Sequence, residues 1–243
     1  MKRRAILIGN NRGIIGVNKD LLDFRDFLQS YSGGAWNSDE IIILLNQSSS
    51  EIKSQISNIK SEGNDYVIVF FTGHGGLNGD TIIEINPSGE QIIESDLFGI
   101  SPKQINILDC CRVVIAGTTK IDGGTSDTTF DNERNSVRTE FESLISSAAP
   151  QFVKIYSCSE GEESYALSSG SYYTQSLLTK ARTLLSSNNI ASIYTCHENA
   201  AIKTIALAKS NGHVQTPQIV PAKCLLDQEL PFCFTPSCLI PSK

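Results

Sequence analysis

The chain has 243 residues, 40% of them hydrophobic, which suits one domain with one sizeable core. Its 26 acidic and 20 basic residues leave a net charge of -6, and Lys2-Arg3-Arg4 is its longest basic run, so nucleic acid is excluded as an expected partner. The apolar runs are too short for a membrane span, and the seven cysteines, an odd count without a repeating spacing, argue against a disulfide scaffold; with no signal peptide visible, a soluble cytoplasmic protein is expected.

Apolar, β-branched runs recur along the chain at 4–9, 41–45, 66–71, 105–109, 152–157 and 216–220. They show no alternation, which is the pattern of strands buried on both faces in a parallel sheet. Helical spacing fills the intervals: Leu21, Phe24 and Leu28; Ile52, Ile56 and Ile59; Tyr173, Leu177, Leu178, Ala181 and Leu185; Ile202, Ile205 and Leu207. Ser48 with Glu51 and Thr195 with Glu198 read as capping boxes at helix starts. The alternation predicts a three-layer α/β/α sandwich around a mostly parallel six-stranded sheet. Residues 80–93 predict a small antiparallel excursion, with Ile82, Ile83 and Ile85 facing Ile92 and Ile93 across the turn Asn86-Pro87-Ser88-Gly89.

The stretch 117–135, GTTKIDGGTSDTTFDNERN, is poor in apolar residues and predicts an exposed loop. It divides one domain, 1–243, into a larger portion, 1–116, and a smaller one, 136–243. The last part, 221–243, has no clear period and predicts irregular structure or a docked tail.

Two segments carry the chemistry. VIVFFTGHGG, 67–76, and INILDCCR, 105–112, are apolar strands that break into small and reactive residues, so His74 and the pair Cys110-Cys111 fall at strand ends. Beyond the carboxyl ends of parallel strands is where catalytic groups gather. A thiolate is an intrinsically reactive nucleophile, and an imidazole can take its proton and later protonate a leaving amine. Neighbouring residues at a strand end point opposite ways, so one of Cys110 and Cys111 faces His74 while the other packs inward; spacing alone does not choose between them. The amide of the nucleophile and that of Gly75 are candidate oxyanion donors, each typically contributing about 3 kcal/mol. The other histidines have structural accounts: His197 at a helix start, His213 in a loop.

FFTGHGG and LDCCR resemble the histidine and cysteine motifs of the caspase and metacaspase group of cysteine peptidases. GIIGVNKDLLDF, YSCSEGEESYA with YYTQSLL, and VQTPQ are similar to further family segments, so the resemblance extends over most of the chain. It implies a caspase-like fold, a cysteine endopeptidase, His74 as base and Cys111, third in Asp109-Cys110-Cys111, as nucleophile. It also implies that Asp20 and Asp109, with Thr72 where metacaspases have serine, line a pocket for Arg or Lys before the cut bond. Val113 and Val17 depart from the family pattern. The family's habit of cutting the loop after the catalytic strand makes Lys120, Arg134 and Arg138 candidate self-cleavage points, and caspase dimers supply an analogy for a homodimer.

Some metacaspases need calcium, but Asp122, Asp127 and Asp131 fit no EF-hand, and Cys224, Cys233 and Cys238 lack zinc-ligand spacing, so no metal or other cofactor is expected. The competing readings are a catalytically silent interaction module and a peptidase selecting Asp, which would need arginines such as Arg12 and Arg112.

Overall fold

The computed structural model describes residues 1–113, 132–185 and 189–239. In chain order its first strands and helices are β1 (Arg3–Gly9), α1 (Val17–Gln29), β2 (Ile41–Leu45), α2 (Ser49–Ser61) and β3 (Tyr66–Thr72). There follow β4 (Gly75–Asn78), β5 (Asp80–Glu84), β6 (Gln91–Ile93), β7 (Lys103–Asp109), α3 (Asn132–Ser147) and β8 (Gln151–Tyr156). The remainder comprises β9 (Ala166–Leu167), β10 (Gly170–Ser171), α4 (Tyr172–Leu184), β11 (Ile190–Ser192), α5 (Ile193–Ser210), β12 (Gln218–Val220) and β13 (Pro231–Phe234).

Six strands form the central sheet in the order β12-β8-β7-β3-β1-β2, and only β12 runs antiparallel to its neighbour. Every residue of β3 is buried, because successive side chains enter opposite layers. Tyr66, Ile68 and Phe70 join one core with α1, α3, α4 and α5, where Phe24 stacks on Phe70 at 4.4 Å between ring centroids. Val67, Val69 and Phe71 join the other, covered by Ile52, Ile56 and Ile59 of α2, by Ile83 and Ile92 of the ribbon β4-β5-β6 and by Ile85 just after β5. The expected excursion is therefore three-stranded, with Ile82 opposite Ile93 and Ile83 opposite Ile92.

The Ser48–Glu51 capping box forms as expected. At α5 the cap lies one turn earlier than predicted: Ser192, not Thr195, accepts from the amide of Thr195. The predicted face of α5 is also displaced, since Ile202 and Ile205 are exposed while Cys196, His197, Ala200, Thr204 and Ala208 are buried. Small residues face inward there because α4 and α5 pack closely, leaving little room for isoleucine between them.

Of the predicted loop 117–135, residues 132–135 belong instead to α3, which begins at Asn132. Residues 114–131 lie outside the described ones, and with them Lys120, Asp122, Asp127 and Asp131. In the tail, Leu230, Phe232 and Phe234 are buried, and β13 pairs with β11, so that stretch completes the core. No helix among the described residues is long and apolar enough to cross a membrane.

Candidate active site

β3 and β7 are parallel neighbours in which Thr72 stands opposite Asp109. His74 and Cys111 each lie two residues beyond that pair, so both leave the sheet at the same end from adjacent strands. Leu77 of β4 donates to the carbonyl of Val113 at 3.0 Å, which holds the two departing segments side by side.

His74 is half-buried, and its Nε2 lies 2.6 Å from the carbonyl oxygen of Arg12. A carbonyl only accepts, so Nε2 carries the proton in this contact and Nδ1 is left as the basic atom. The position of that carbonyl traces to Asn10, which is fully buried. Its Oδ1 accepts the Arg12 amide at 3.2 Å, and its Nδ2 donates to the carbonyl of Glu84 at 2.9 Å.

The two cysteines separate cleanly. Cys110 is 1% exposed and belongs to the core that α2 covers. A Cβ on Gly75 would lie 2.5 Å from the Cys110 sulfur, so glycine is required there by the close approach of β4 to the inward thiol. Cys111 is half-buried and faces the other way, where its sulfur accepts the Ser164 amide at 3.4 Å and lies 3.7 Å from the Ser164 carbonyl. Burial pushes the Cys111 thiol up, the Ser164 amide pulls it down, and the charges of Glu163 and Asp109 raise it further. Burial raises Cys110 much further, which leaves it an inert packing thiol.

Behind Cys111 lie two buried carboxylates. Asp20, from α1, accepts the Ser171 amide at 3.1 and 3.0 Å, Gln175 Nε2 at 2.9 Å and Thr72 Oγ1 at 3.3 Å. Asp109 accepts Ser164 Oγ at 2.7 Å, the Thr174 amide at 3.1 Å, Thr174 Oγ1 at 2.6 Å and the Ser171 hydroxyl. The first turn of α4 is thus aimed at both, as helix amino ends favour anions. Gly170 fits only because it lacks a side chain: its φ is +108°, and a Cβ would sit 2.4 Å from Asp20 Oδ1. Among the described residues neither carboxylate has a Lys or Arg partner.

Burial, and then the charge of Asp109, push Asp20 up to about 7. The folded chain therefore holds this proton where the unfolded chain, at the ordinary 3.8, has lost it. The resulting stabilisation is present at low pH and is lost as pH rises through about 7. Asp20→Asn is expected to raise the melting temperature at about pH 8 and to gain much less at about pH 5, as read by circular dichroism. An equal gain at both would contradict the assignment.

Two predicted cleavage points move. Arg134 and Arg138 lie in α3 rather than in a loop. Arg134 donates to the carbonyls of Gln29 and Trp36, and Arg138 pairs with Glu40 and Glu142. A protease needs extended backbone, so cutting at either would require this anchored helix to open. His197 is buried, with Nδ1 2.8 Å from the Tyr173 hydroxyl, and burial lowers it to about 4; His213 stacks on Tyr165 at 3.9 Å. Arg12 pairs with Glu84 at 3.2 Å. Arg112 donates to Thr81 and Glu160 and stacks on Tyr156.

Sequence reasoning missed Asn10, Ser164, Ser171, Thr174, Gln175 and Gln215 as residues of this site. Ser164 and Gln215 lie in segments singled out by resemblance, but nothing in their spacing reveals that they meet. Gln215, 1% exposed, donates to the Ser157 carbonyl at 2.9 Å and to Ser164 Oγ at 3.2 Å.

A sheet covered on both faces, delivering a histidine and an outward thiol from adjacent strand ends, is the arrangement expected of a thiol-dependent hydrolase. The model of the caspase domain family matches residues 2–225, and the chain belongs to that family of cysteine peptidases. Caspase-1 from Spodoptera frugiperda is similar in structure, with 16% identity and a TM-score of 0.59 over 90% of this chain and 86% of that one. A protein from Geobacter sulfurreducens is similar at 13% identity and a TM-score of 0.56 over 97% of this chain and 100% of that one. At these identities the likeness is one of fold. No curated protein matches the chain at a significant level.

Proposed function

We propose that the chain is an endopeptidase that cuts after Arg or Lys through Cys111 and His74. Nδ1 of His74 takes the Cys111 proton as the sulfur attacks the substrate carbonyl carbon, and the oxyanion forms against the amides of Gly75 and Cys111. The C–N bond then breaks as His74 returns the proton to the leaving amine, which leaves a thioester on Cys111. Water, deprotonated by His74, attacks the thioester and regenerates the thiol.

The observation that carries the choice of substrate is the pair Asp20 and Asp109. Two buried carboxylates without a cation beside them repel each other, and an arriving guanidinium or ammonium supplies the missing charge through charge-assisted hydrogen bonds. Selection of Asp has less support, because Arg12 and Arg112 already face Glu84 and Glu160. Fluorogenic peptides ending in Arg, Lys or Asp test the reading. Release from Arg or Lys is expected to exceed release from Asp by at least about a hundredfold in kcat/KM, the effect of roughly 3 kcal/mol. Preference for Asp would overturn the substrate class, and hydrolysis of none of the three would overturn the peptidase.

A further inference from the structure

Ser164 occupies a position that neither the proposed dyad nor the carboxylate pocket explains. Its backbone amide donates to the Cys111 sulfur at 3.4 Å, while its hydroxyl donates to Asp109 Oδ1 at 2.7 Å. From the far side Gln215 Nε2 donates to the same hydroxyl at 3.2 Å, and Gln215 Oε1 accepts the amide of Tyr165, the next residue, at 3.2 Å. One residue thus touches the nucleophile with its main chain and the recognition carboxylate with its side chain, inside a clamp from a distant segment.

We propose that Ser164 is a positioning residue that fixes the nucleophile relative to the specificity pocket, its hydroxyl anchoring on Asp109 the peptide whose amide stabilises the Cys111 thiolate. The inference rests on the peptidase reading for its link to turnover, but the hold on the sulfur can be measured without any substrate.

The segment carrying Ser164 is held elsewhere, the Tyr165 carbonyl accepting the Tyr172 amide at 2.9 Å, but those other bonds do not reach Asp109. It leaves β8 with the Glu162 carbonyl accepting the Arg112 amide at 3.0 Å, and the Glu162 carboxylate is held by the Thr216 amide and hydroxyl. After Ser164 come Tyr165 and then the exposed β9. The hydroxyl of Ser164 is thus the last side-chain anchor, between Glu162 and β9, that ties this segment directly to the sheet end bearing Cys111.

An amide donating to a thiolate is a charge-assisted bond, stronger than the same contact to a neutral thiol. The Ser164 carbonyl favours the neutral thiol but lies farther from the sulfur than the amide, at 3.7 Å. The amide therefore dominates, and freeing the peptide should raise the pH at which Cys111 becomes reactive.

The test is the pH dependence of Cys111 alkylation by iodoacetamide, followed at that cysteine by peptide mass spectrometry, in wild type, Ser164→Ala and Ser164→Thr. Ser164→Ala is expected to move the midpoint to higher pH and to slow alkylation at neutral pH by about tenfold, the effect of one such bond. Ser164→Thr, which keeps the hydroxyl, is expected to restore the wild-type midpoint. With an arginyl peptide, Ser164→Ala should lower kcat by more than it raises KM. An unmoved midpoint in Ser164→Ala, or a lowered melting temperature with midpoint and kcat unchanged, overturns the proposal. A shifted midpoint in a protein whose wild type cleaves no peptide would uphold the hold on the sulfur and defeat the peptidase reading instead.

Discussion

Cys111→Ala is expected to lower kcat/KM on an arginyl peptide by about four orders of magnitude or more, as removal of a catalytic nucleophile does in other peptidases. Cys110→Ala is expected to leave turnover within a fewfold of wild type. The two thiols are adjacent in sequence but opposite in environment. Cys110 fills core space against Gly75, and burial holds it protonated. Its truncation opens a small cavity, costing on the order of 1 kcal/mol in stability without touching the cleft. Cys111 faces out from the strand end that adjoins His74, so its loss removes the sulfur that forms the thioester in the proposed mechanism. Comparing the two variants for turnover and melting temperature checks both statements. Comparable activity loss in both, or loss only in Cys110→Ala, would show that the wrong thiol has been assigned.

Asp109→Ala is expected to unfold at a markedly lower temperature than wild type, and to lose activity as well. Two effects oppose each other in this variant. Removing the charge relieves repulsion on Asp20, which favours folding. It also leaves the hydroxyls of Ser164, Ser171 and Thr174 and the Thr174 amide without their common acceptor. Burial, not Asp109, is the larger cause of the raised Asp20, so the relief is the smaller effect. Each buried donor left unpaired costs about 1–3 kcal/mol. A net loss of about 3 kcal/mol would lower the melting temperature of a chain this size by about 10 °C. A melt within about 2 °C of wild type would mean that water or Gln175 replaces the carboxylate.

The sheet was legible because strands buried on both faces must be continuous apolar runs, and six such runs matched the six strands. α1, α2 and α4 were equally plain, as their large apolar residues face the core. α5 was not. Its outward Ile202 and Ile205 carry the strongest apolar signal, whereas its buried face is built of Ala, Cys and Thr, which periodicity does not distinguish. β13 escaped because four residues led by proline show no period, and only pairing with β11 makes them a strand.

The same division applies to the site. His74 and the pair Cys110-Cys111 stand out by chemistry and by their place at strand ends, and only the family resemblance singles out Cys111 as the proposed nucleophile. The residues around them and around the two carboxylates are ordinary Asn, Ser, Thr and Gln, brought together from 10, 164, 171, 174, 175 and 215. Their roles are properties of contact, and no local pattern encodes a contact between segments so far apart. Arg134 and Arg138 illustrate the converse: basic residues beside a polar stretch read as exposed, yet ion pairs and carbonyls on other elements hold them in a helix.

The proposed mechanism depends above all on Cys111 being the nucleophile that His74 activates. A peptidyl arginine chloromethyl ketone, which alkylates an activated thiolate directed by a bound basic side chain, tests this in one experiment read by intact mass and peptide mapping. One adduct on Cys111, forming at least about a hundredfold more slowly in His74→Ala, is the predicted result. An adduct on Cys110, or a rate that His74→Ala leaves unchanged, would contradict it.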